Sequence, residues 1–72
     1  MPTGFVARIP IGKNFGFIKK EEDRKDFFFH QSDYQGNWDT LVYDFQARSD
    51  VKVQFDIVDS AKGPRAGNVR RI

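Results

Sequence analysis

Hydrophobic and polar residues alternate along most of this chain with the period of two that is typical of β-strands. The clearest alternation covers residues 51–59, with Val51, Val53, Phe55 and Ile57 on one face and Lys52, Gln54, Asp56 and Val58 on the other. Strands are predicted at residues 3–11, 15–20, about 26–31, 51–59 and about 66–72. No segment shows a convincing helical period, so the connection at about 32–50 is predicted to be a long loop.

Five short strands in a chain of 72 residues would leave exposed strand edges unless the sheet curled on itself. A partly open barrel of five strands is the OB-type architecture. The predicted fold class is therefore all-β, a five-stranded antiparallel β-barrel of OB-fold type. We expect residues 1–72 to form one domain.

The second predicted strand carries two aromatic side chains on one face. Successive side chains of a strand point to opposite faces, so Phe15 and Phe17 lie together, opposite Gly16 and Ile18. From the pattern alone, these two rings could be ordinary core or an exposed binding surface.

The third predicted strand divides in the same way. Phe28 and His30 share one face, while Phe27 and Phe29 share the other and are expected in the core. A contiguous aromatic patch left exposed usually has a partner, and unstacked bases of single-stranded nucleic acid stack well on such rings.

Composition narrows the function. The chain has no cysteine and one histidine, His30, so we expect neither a metal site nor another cofactor. No paired carboxylates, nucleophile with a base or phosphate-binding glycine loop is apparent, so we expect no enzyme and no small-molecule substrate. No apolar run approaches the roughly 20 residues that span a bilayer, and no signal peptide is apparent, which favours a cytoplasmic protein without a membrane partner.

The net charge of +2 is modest, but its distribution is uneven. Basic side chains concentrate towards the two ends of the chain, and aspartates mark the middle. The basic residues of the ends are Arg8, Lys13, Lys19, Lys20, Lys62, Arg65, Arg70 and Arg71. If the ends meet in the fold, these residues would form one basic face. Charged loops on a closed barrel favour a monomer.

In four ordered segments the chain resembles the cold-shock domain family. The segments are Thr3–Val6, Lys13–Ile18, Asp26–Ser32 and Lys62–Val69, and their order and spacing match the family along nearly the whole chain. The resemblance implies a five-stranded β-barrel that binds single-stranded RNA and DNA with little sequence specificity, often as an RNA chaperone.

The resemblance also implies roles for particular residues. The stacking groups would be Phe15, Phe17, Phe28 and His30, with Lys13 near the path of the nucleic-acid backbone and Trp38 as a loop aromatic. The alternative for Trp38 is a ring that caps the loop.

Lys62 and Arg65 flank a Gly-Pro turn. From there they could reach a backbone phosphate, and the alternative is that they serve solubility alone.

The chain departs from the family pattern at several binding positions. Arg8 stands in place of a stacking tryptophan, Ile9 in place of an aromatic and Gln31 in place of a phenylalanine. The Arg8 guanidinium can stack on a base and attract phosphate, and the Gln31 amide can hydrogen-bond a base edge. We therefore expect a binder that is more salt-sensitive than its relatives.

Two functions from different classes remain open at this stage. The first is a module that binds single-stranded RNA or DNA, as an RNA chaperone or a regulator of transcription or translation. The second is a protein-interaction or regulatory module on the same barrel. Arg8, Ile9 and Gln31 favour this alternative because they replace aromatic residues at binding positions of the family.

Overall fold

The computed structural model describes residues 2–48 and 50–72, and the structural statements below concern these residues. The chain forms five antiparallel strands, which confirms the predicted fold class. The strands are β1 (Thr3–Arg8), β2 (Phe15–Lys20), β3 (Asp26–His30), β4 (Lys52–Ser60) and β5 (Gly63–Arg71). Between β3 and β4 lie a 3₁₀ turn (Gln31–Asp33) and one helix, α1 (Trp38–Arg48).

The strands form one sheet in the order β3-β2-β1-β4-β5. The two edge strands, β3 and β5, come within 8 Å of each other, so the sheet curls around its apolar face in the manner of an OB-type barrel. Tyr34, just after the 3₁₀ turn, adds a single parallel bridge to Val69 of β5. The end of β3 therefore lies beside β5, and residues of the candidate site lie at this junction.

Side chains from all five strands and from α1 meet in one core. It consists of Val6, Ile9, Ile18, Phe27, Phe29, Leu41, Val51, Val53, Phe55, Ala66 and Val69. Phe27 and Phe29 are buried as predicted, and their rings alternate along β3 with the outward Phe28. The same alternation leaves one face of β2 and β3 available to solvent.

A bulge in β1 changes the role predicted for Ile9. Val6 pairs with Ile18, but the next pair is Arg8 with Phe17, so Ala7 is an extra residue in β1. Ala7 and Arg8 are both exposed, and Ile9 turns inward, where only 7% of it is exposed. The interpretation of Ile9 as a changed stacking position was therefore wrong, since Ile9 belongs to the core.

The alternation predicted for β4 holds only for part of the strand. Val51, Val53 and Phe55 are buried, but Ile57, predicted on the same face, is 44% exposed. The reason is that β1 pairs with β4 only at Lys52, Val53 and Gln54. Beyond that point, the β4–β5 hairpin projects past the rest of the sheet.

The helix α1 corrects the prediction that the chain has none. Asn37 begins it by accepting a hydrogen bond at its side-chain oxygen from the Thr40 backbone N–H (3.0 Å), as N-cap residues do. Trp38, Leu41, Val42 and Phe45 then face the core with helical spacing. The connection predicted as a loop at 32–50 thus contains three turns of helix.

An ion pair between Arg71 of β5 and Asp44 anchors α1 to the sheet. Tyr34 packs against the core beside this pair, and burial raises the pKa of its phenol, an effect that Arg71 opposes and Asp44 reinforces.

Neither helical element of residues 2–48 and 50–72 has the length and apolar character needed to cross a membrane.

Candidate nucleic-acid interface

Three phenyl rings form a contiguous patch on the outer face of β2 and β3. Phe15 and Phe28 lie 5.4 Å apart between ring centroids, and Phe17 lies 6.0 Å from each of them. Phe17 pairs with Phe28 across the two strands, which brings the rings together. All three are half-buried, so each ring retains accessible surface. This patch, Phe15, Phe17 and Phe28, is called the phenylalanine cluster below.

Gly16 makes the alternation of Phe15 and Phe17 compatible with the barrel. A Cβ atom at Gly16 would lie 2.8 Å from the Arg8 carbonyl oxygen and 2.9 Å from the Phe29 ring. Only a residue without a side chain allows β2 to approach β1 and the core this closely. Glycine is thus required at position 16 so that β2 can pack against the core while presenting Phe15 and Phe17 on its outer face.

His30 extends the phenylalanine cluster at the end of β3. It pairs with Phe15 on β2 and is half-buried. Its ring Nδ1 accepts a hydrogen bond from the Ser32 backbone N–H (3.1 Å) and lies 3.0 Å from the Ser32 hydroxyl oxygen. The imidazole is therefore held at the border between the strand and the 3₁₀ turn.

Arg8 lies beside the cluster on the other side. The bulge in β1 places it opposite Phe17, and the two residues line the same surface depression. Within the described chain, the Arg8 guanidinium makes no ion pair. A planar cation next to a ring that keeps accessible surface can stack on a base or attract a phosphate.

Lys62 lies at the third side of the cluster, at the tip of the β4–β5 hairpin. With Phe28, Pro64 and Arg65 it lines a mostly apolar groove of about 520 Å³. Lys13 precedes Phe15 by two residues, in the turn between β1 and β2, and is exposed. Like Arg8, both lysines lack an ion pair among residues 2–48 and 50–72.

Most other basic residues of the chain ends are paired with acids. The pairs are Lys19–Asp26 (3.2 Å), Lys20–Asp23 (3.6 Å), Arg65–Asp33 (3.1 Å) and Arg71–Asp44. The two chain ends therefore do not form one uncompensated basic face. Among the described residues without an ion pair, Arg8 lies opposite Phe17, Lys62 lines the groove with Phe28, and Lys13 precedes Phe15 in the chain.

Trp38 and Gln31 lie at the far edge of the site, next to His30. The Trp38 ring packs edge-on against Phe29 (5.7 Å) and Tyr34 (6.4 Å), so part of it joins the core. Its remaining surface lines a shallow depression together with His30, Gln31, Ser32 and Gly36. The packing agrees with the alternative in which Trp38 caps the connection, while a stacking role for its remaining surface stays a prediction.

One contact at the candidate site was missed from the sequence. Asp33, read as part of an acidic middle segment, accepts a hydrogen bond from the His30 backbone N–H (3.0 Å) and pairs with Arg65. The spacing of three residues between His30 and Asp33 is that of a capping box, which was the available signal. Asp33 thereby connects the ends of β3 and β5 at the site.

A curled five-stranded sheet with an outward aromatic cluster and unpaired cations around it defines a nucleic-acid-binding barrel. The family comparison agrees with this class. Residues 2–72 match the model of the 'Cold-shock' DNA-binding domain. The chain belongs to the cold-shock domain family, and the resemblance seen in the sequence is confirmed.

Curated relatives are similar along almost the whole chain. A probable cold shock protein A of Mycolicibacterium smegmatis is 38% identical over 72 residues, which cover all of both chains. A cold shock-like protein of Aquifex aeolicus is 42% identical over 68 residues, 93% of this chain and 89% of the relative. Cold shock-like protein CspE of Escherichia coli is 42% identical over 66 residues, 92% of this chain and 88% of the relative.

Proposed function

We propose that this protein binds single-stranded RNA or DNA with low sequence specificity, with bases stacked on the phenylalanine cluster and His30. The observation that carries the proposal is the contiguous, outward-facing set of three rings with centroids 5.4–6.0 Å apart. Stacking contributes about 1–3 kcal/mol per base and tolerates any base, since every base has a π-face.

In this proposal the phosphates follow the unpaired cations. Arg8 lies beside Phe17, Lys13 precedes Phe15, and Lys62 lies across the groove from Phe28. Each phosphate neutralised along a single strand adds about 0.7 to the slope of affinity against salt on logarithmic axes. Arg8 supplies charge where the family has a stacking ring, so affinity depends more on salt than in a tryptophan-containing relative.

The depression beside His30 gives the site a limited means of reading base identity. The exposed Gln31 side chain offers one hydrogen-bond donor group and one acceptor there, next to the Trp38 ring. A base seated on His30 and Trp38 would present its edge to this amide. We propose that Gln31 adds a modest base preference to binding that is otherwise unspecific.

The biological activity that follows is that of an RNA chaperone. Capturing unstacked bases shifts the pairing equilibrium of weak RNA structures by mass action, without ATP and without breaking covalent bonds. We propose that the protein acts by binding alone, as a monomer.

The direct test is a titration of short pyrimidine-rich single-stranded RNA and DNA, end-labelled for fluorescence anisotropy. We expect saturable binding that is lost in a Phe17→Ala/Phe28→Ala variant. Tyr43→Ala is the matched control, because Tyr43 is an aromatic residue on α1 that is 71% exposed and lies outside the cluster.

No binding by the wild-type protein at low salt would contradict the proposal and favour a protein partner for the same barrel. Equal losses in the double variant and in Tyr43→Ala would also contradict it, because the cluster would then have no special role.

A further inference from the structure

The turn that follows β3 sets the chemical form of His30. The Ser32 backbone N–H can only donate, so the Nδ1 atom that accepts its hydrogen bond carries no proton. In the neutral imidazole the proton then lies on Nε2, which makes no hydrogen bond within the described part of the chain. His30 therefore presents a free N–H donor at the edge of the stacking surface.

Asp33 holds the backbone that makes this arrangement possible. One carboxylate oxygen accepts from the His30 backbone N–H at 3.0 Å, which closes the capping box of the 3₁₀ turn. The Asp33 side chain is only 11% exposed. A carboxylate this enclosed needs a partner for its charge, because a buried unpaired charge is strongly destabilising.

Arg65 is that partner. Its Nη2 atom donates to the other Asp33 carboxylate oxygen at 3.1 Å. Arg65 lies on β5, paired with Val58 of β4, whereas Asp33 follows β3. The contact therefore joins the two edges of the sheet beside the phenylalanine cluster, and a chain of bonds runs from Arg65 through Asp33 to the His30 turn.

Arg65 and Lys62 both line the groove beside Phe28, but their charges are in different states. The charge of Lys62 is unpaired among the described residues, while that of Arg65 is compensated by Asp33. A compensated charge releases fewer counterions when a phosphate approaches. The two residues should then contribute to binding through different mechanisms.

We propose that Arg65 and Asp33 are positioning residues that hold His30 as its Nε2–H tautomer, aimed at an acceptor oxygen of the bound strand. The proposal rests on the proposed function, because it assigns a role within the same nucleic-acid site. His30 then contributes both a stacking face and a hydrogen bond to a base carbonyl or a phosphate oxygen, and Arg65 acts through it.

The first part of the test needs no nucleic acid. Two-bond ¹H–¹⁵N NMR spectra distinguish which nitrogen of the His30 ring carries the proton. We expect the Nε2–H pattern in the free wild-type protein at mildly alkaline pH and a mixture of tautomers in Arg65→Met. A proton on Nδ1 in the wild-type protein, or an unchanged pattern in Arg65→Met, would overturn the proposal.

The second part is a double-mutant cycle on binding to oligouridine. Arg65→Met should weaken binding about two- to tenfold, the value of one hydrogen bond, with an unchanged salt slope. It should have no further effect in a His30→Ala background. The matched control Lys62→Met should lower the salt slope by about 0.7 and act independently of His30.

A reduced salt slope in Arg65→Met that persists in the His30→Ala background would overturn the proposal and make Arg65 a direct phosphate ligand. If Arg65→Met does not fold because Asp33 is left unpaired, the charge-neutral double variant Arg65→Met/Asp33→Asn takes its place in the same cycle with the same expectations. A wild-type protein that binds no single strand would contradict the proposed function, whereas the tautomer spectra would still decide the role of Arg65.

Discussion

The two faces of the β2–β3 hairpin use the same amino acid for opposite purposes. On the inner face, Phe27 and Phe29 are 6% and 0% exposed and pack with the rest of the core. On the outer face, Phe15, Phe17 and Phe28 contact one another and keep accessible surface. The sequence positions of the two sets interleave, so neither residue type nor local composition separates them.

The difference shows that strand geometry, rather than chemistry, assigns these roles. An inward ring gains its full transfer free energy from burial during folding. An outward ring gains only part of this free energy on folding, and in the proposed function a bound base covers its remaining surface. Substitutions on the two faces should therefore separate stability from binding.

The largest expected effect is on the inner face. Phe29→Ala leaves a cavity at a fully buried ring that also contacts Trp38, and should cost about 3–5 kcal/mol of unfolding free energy. For a small domain this is a large part of the total stability. Thermal unfolding followed by circular dichroism measures the loss, and a melting temperature equal to that of the wild-type protein would refute the assigned core role.

The next effect is on the outer face. Phe17→Ala removes one stacking platform and should weaken binding by about 1–3 kcal/mol, or about 5- to 150-fold. The variant should unfold at nearly the wild-type temperature, because its ring is only half-buried. Anisotropy titration and thermal unfolding of the same sample check both statements, and a loss of stability without a loss of affinity would reverse the comparison.

A smaller effect is expected on the salt dependence of binding, which should distinguish unpaired from paired cations. Arg8→Ala should reduce the slope of log affinity against log salt by about 0.7, because one phosphate contact is lost. Lys19→Ala is the control, since Lys19 on the neighbouring strand is already paired with Asp26. Titrations at several salt concentrations measure the slope, and an Arg8 variant with the wild-type slope would remove Arg8 from the interface.

The smallest effect concerns base identity. Gln31→Ala should weaken binding to the preferred homopolymer by about 0.5–1.5 kcal/mol, the value of one hydrogen bond, and narrow the preference among homopolymers. Its side chain is exposed, so stability should not change. Parallel titrations with four homopolymers test this, and a preference that survives the substitution would have to come from another residue.

The sequence predicted the parts of the fold that depend on local alternation. The period of two located all five strands and divided Phe27 and Phe29 from Phe15, Phe17 and Phe28. It failed where pairing with another strand decides the outcome. The bulge in β1 turns Ile9 inward, and Ile57 is exposed because β1 does not extend along that part of β4.

The helix α1 was missed although its signal is present. Trp38, Leu41, Val42 and Phe45 have the spacing of one helical face, and Asn37 stands where an N-cap belongs. The segment was predicted to be a loop because its helical period was not recognised. Tertiary contacts resolve the ambiguity, because Leu41 is fully buried and Asp44 pairs with Arg71.

The sequence predicted which residues form the candidate site, but not which of their charges are paired with acids. Sequence alone cannot show that Arg65 is compensated by Asp33 while Arg8, Lys13 and Lys62 are unpaired in the described chain. Such pairing depends on long-range contacts, here between residues 32 positions apart. In the proposed function, this pairing decides which cations are available to phosphates.

The role of the outer face is best tested by the affinity of Phe17→Ala/Phe28→Ala for a short oligouridine, measured by anisotropy on protein shown to be folded. We expect this variant to retain the cooperative unfolding of the wild-type protein but to lose about 2–6 kcal/mol of binding free energy, the value of two stacking rings. A folded variant that binds as tightly as the wild-type protein would contradict the claim that the outer face of the hairpin is the nucleic-acid interface.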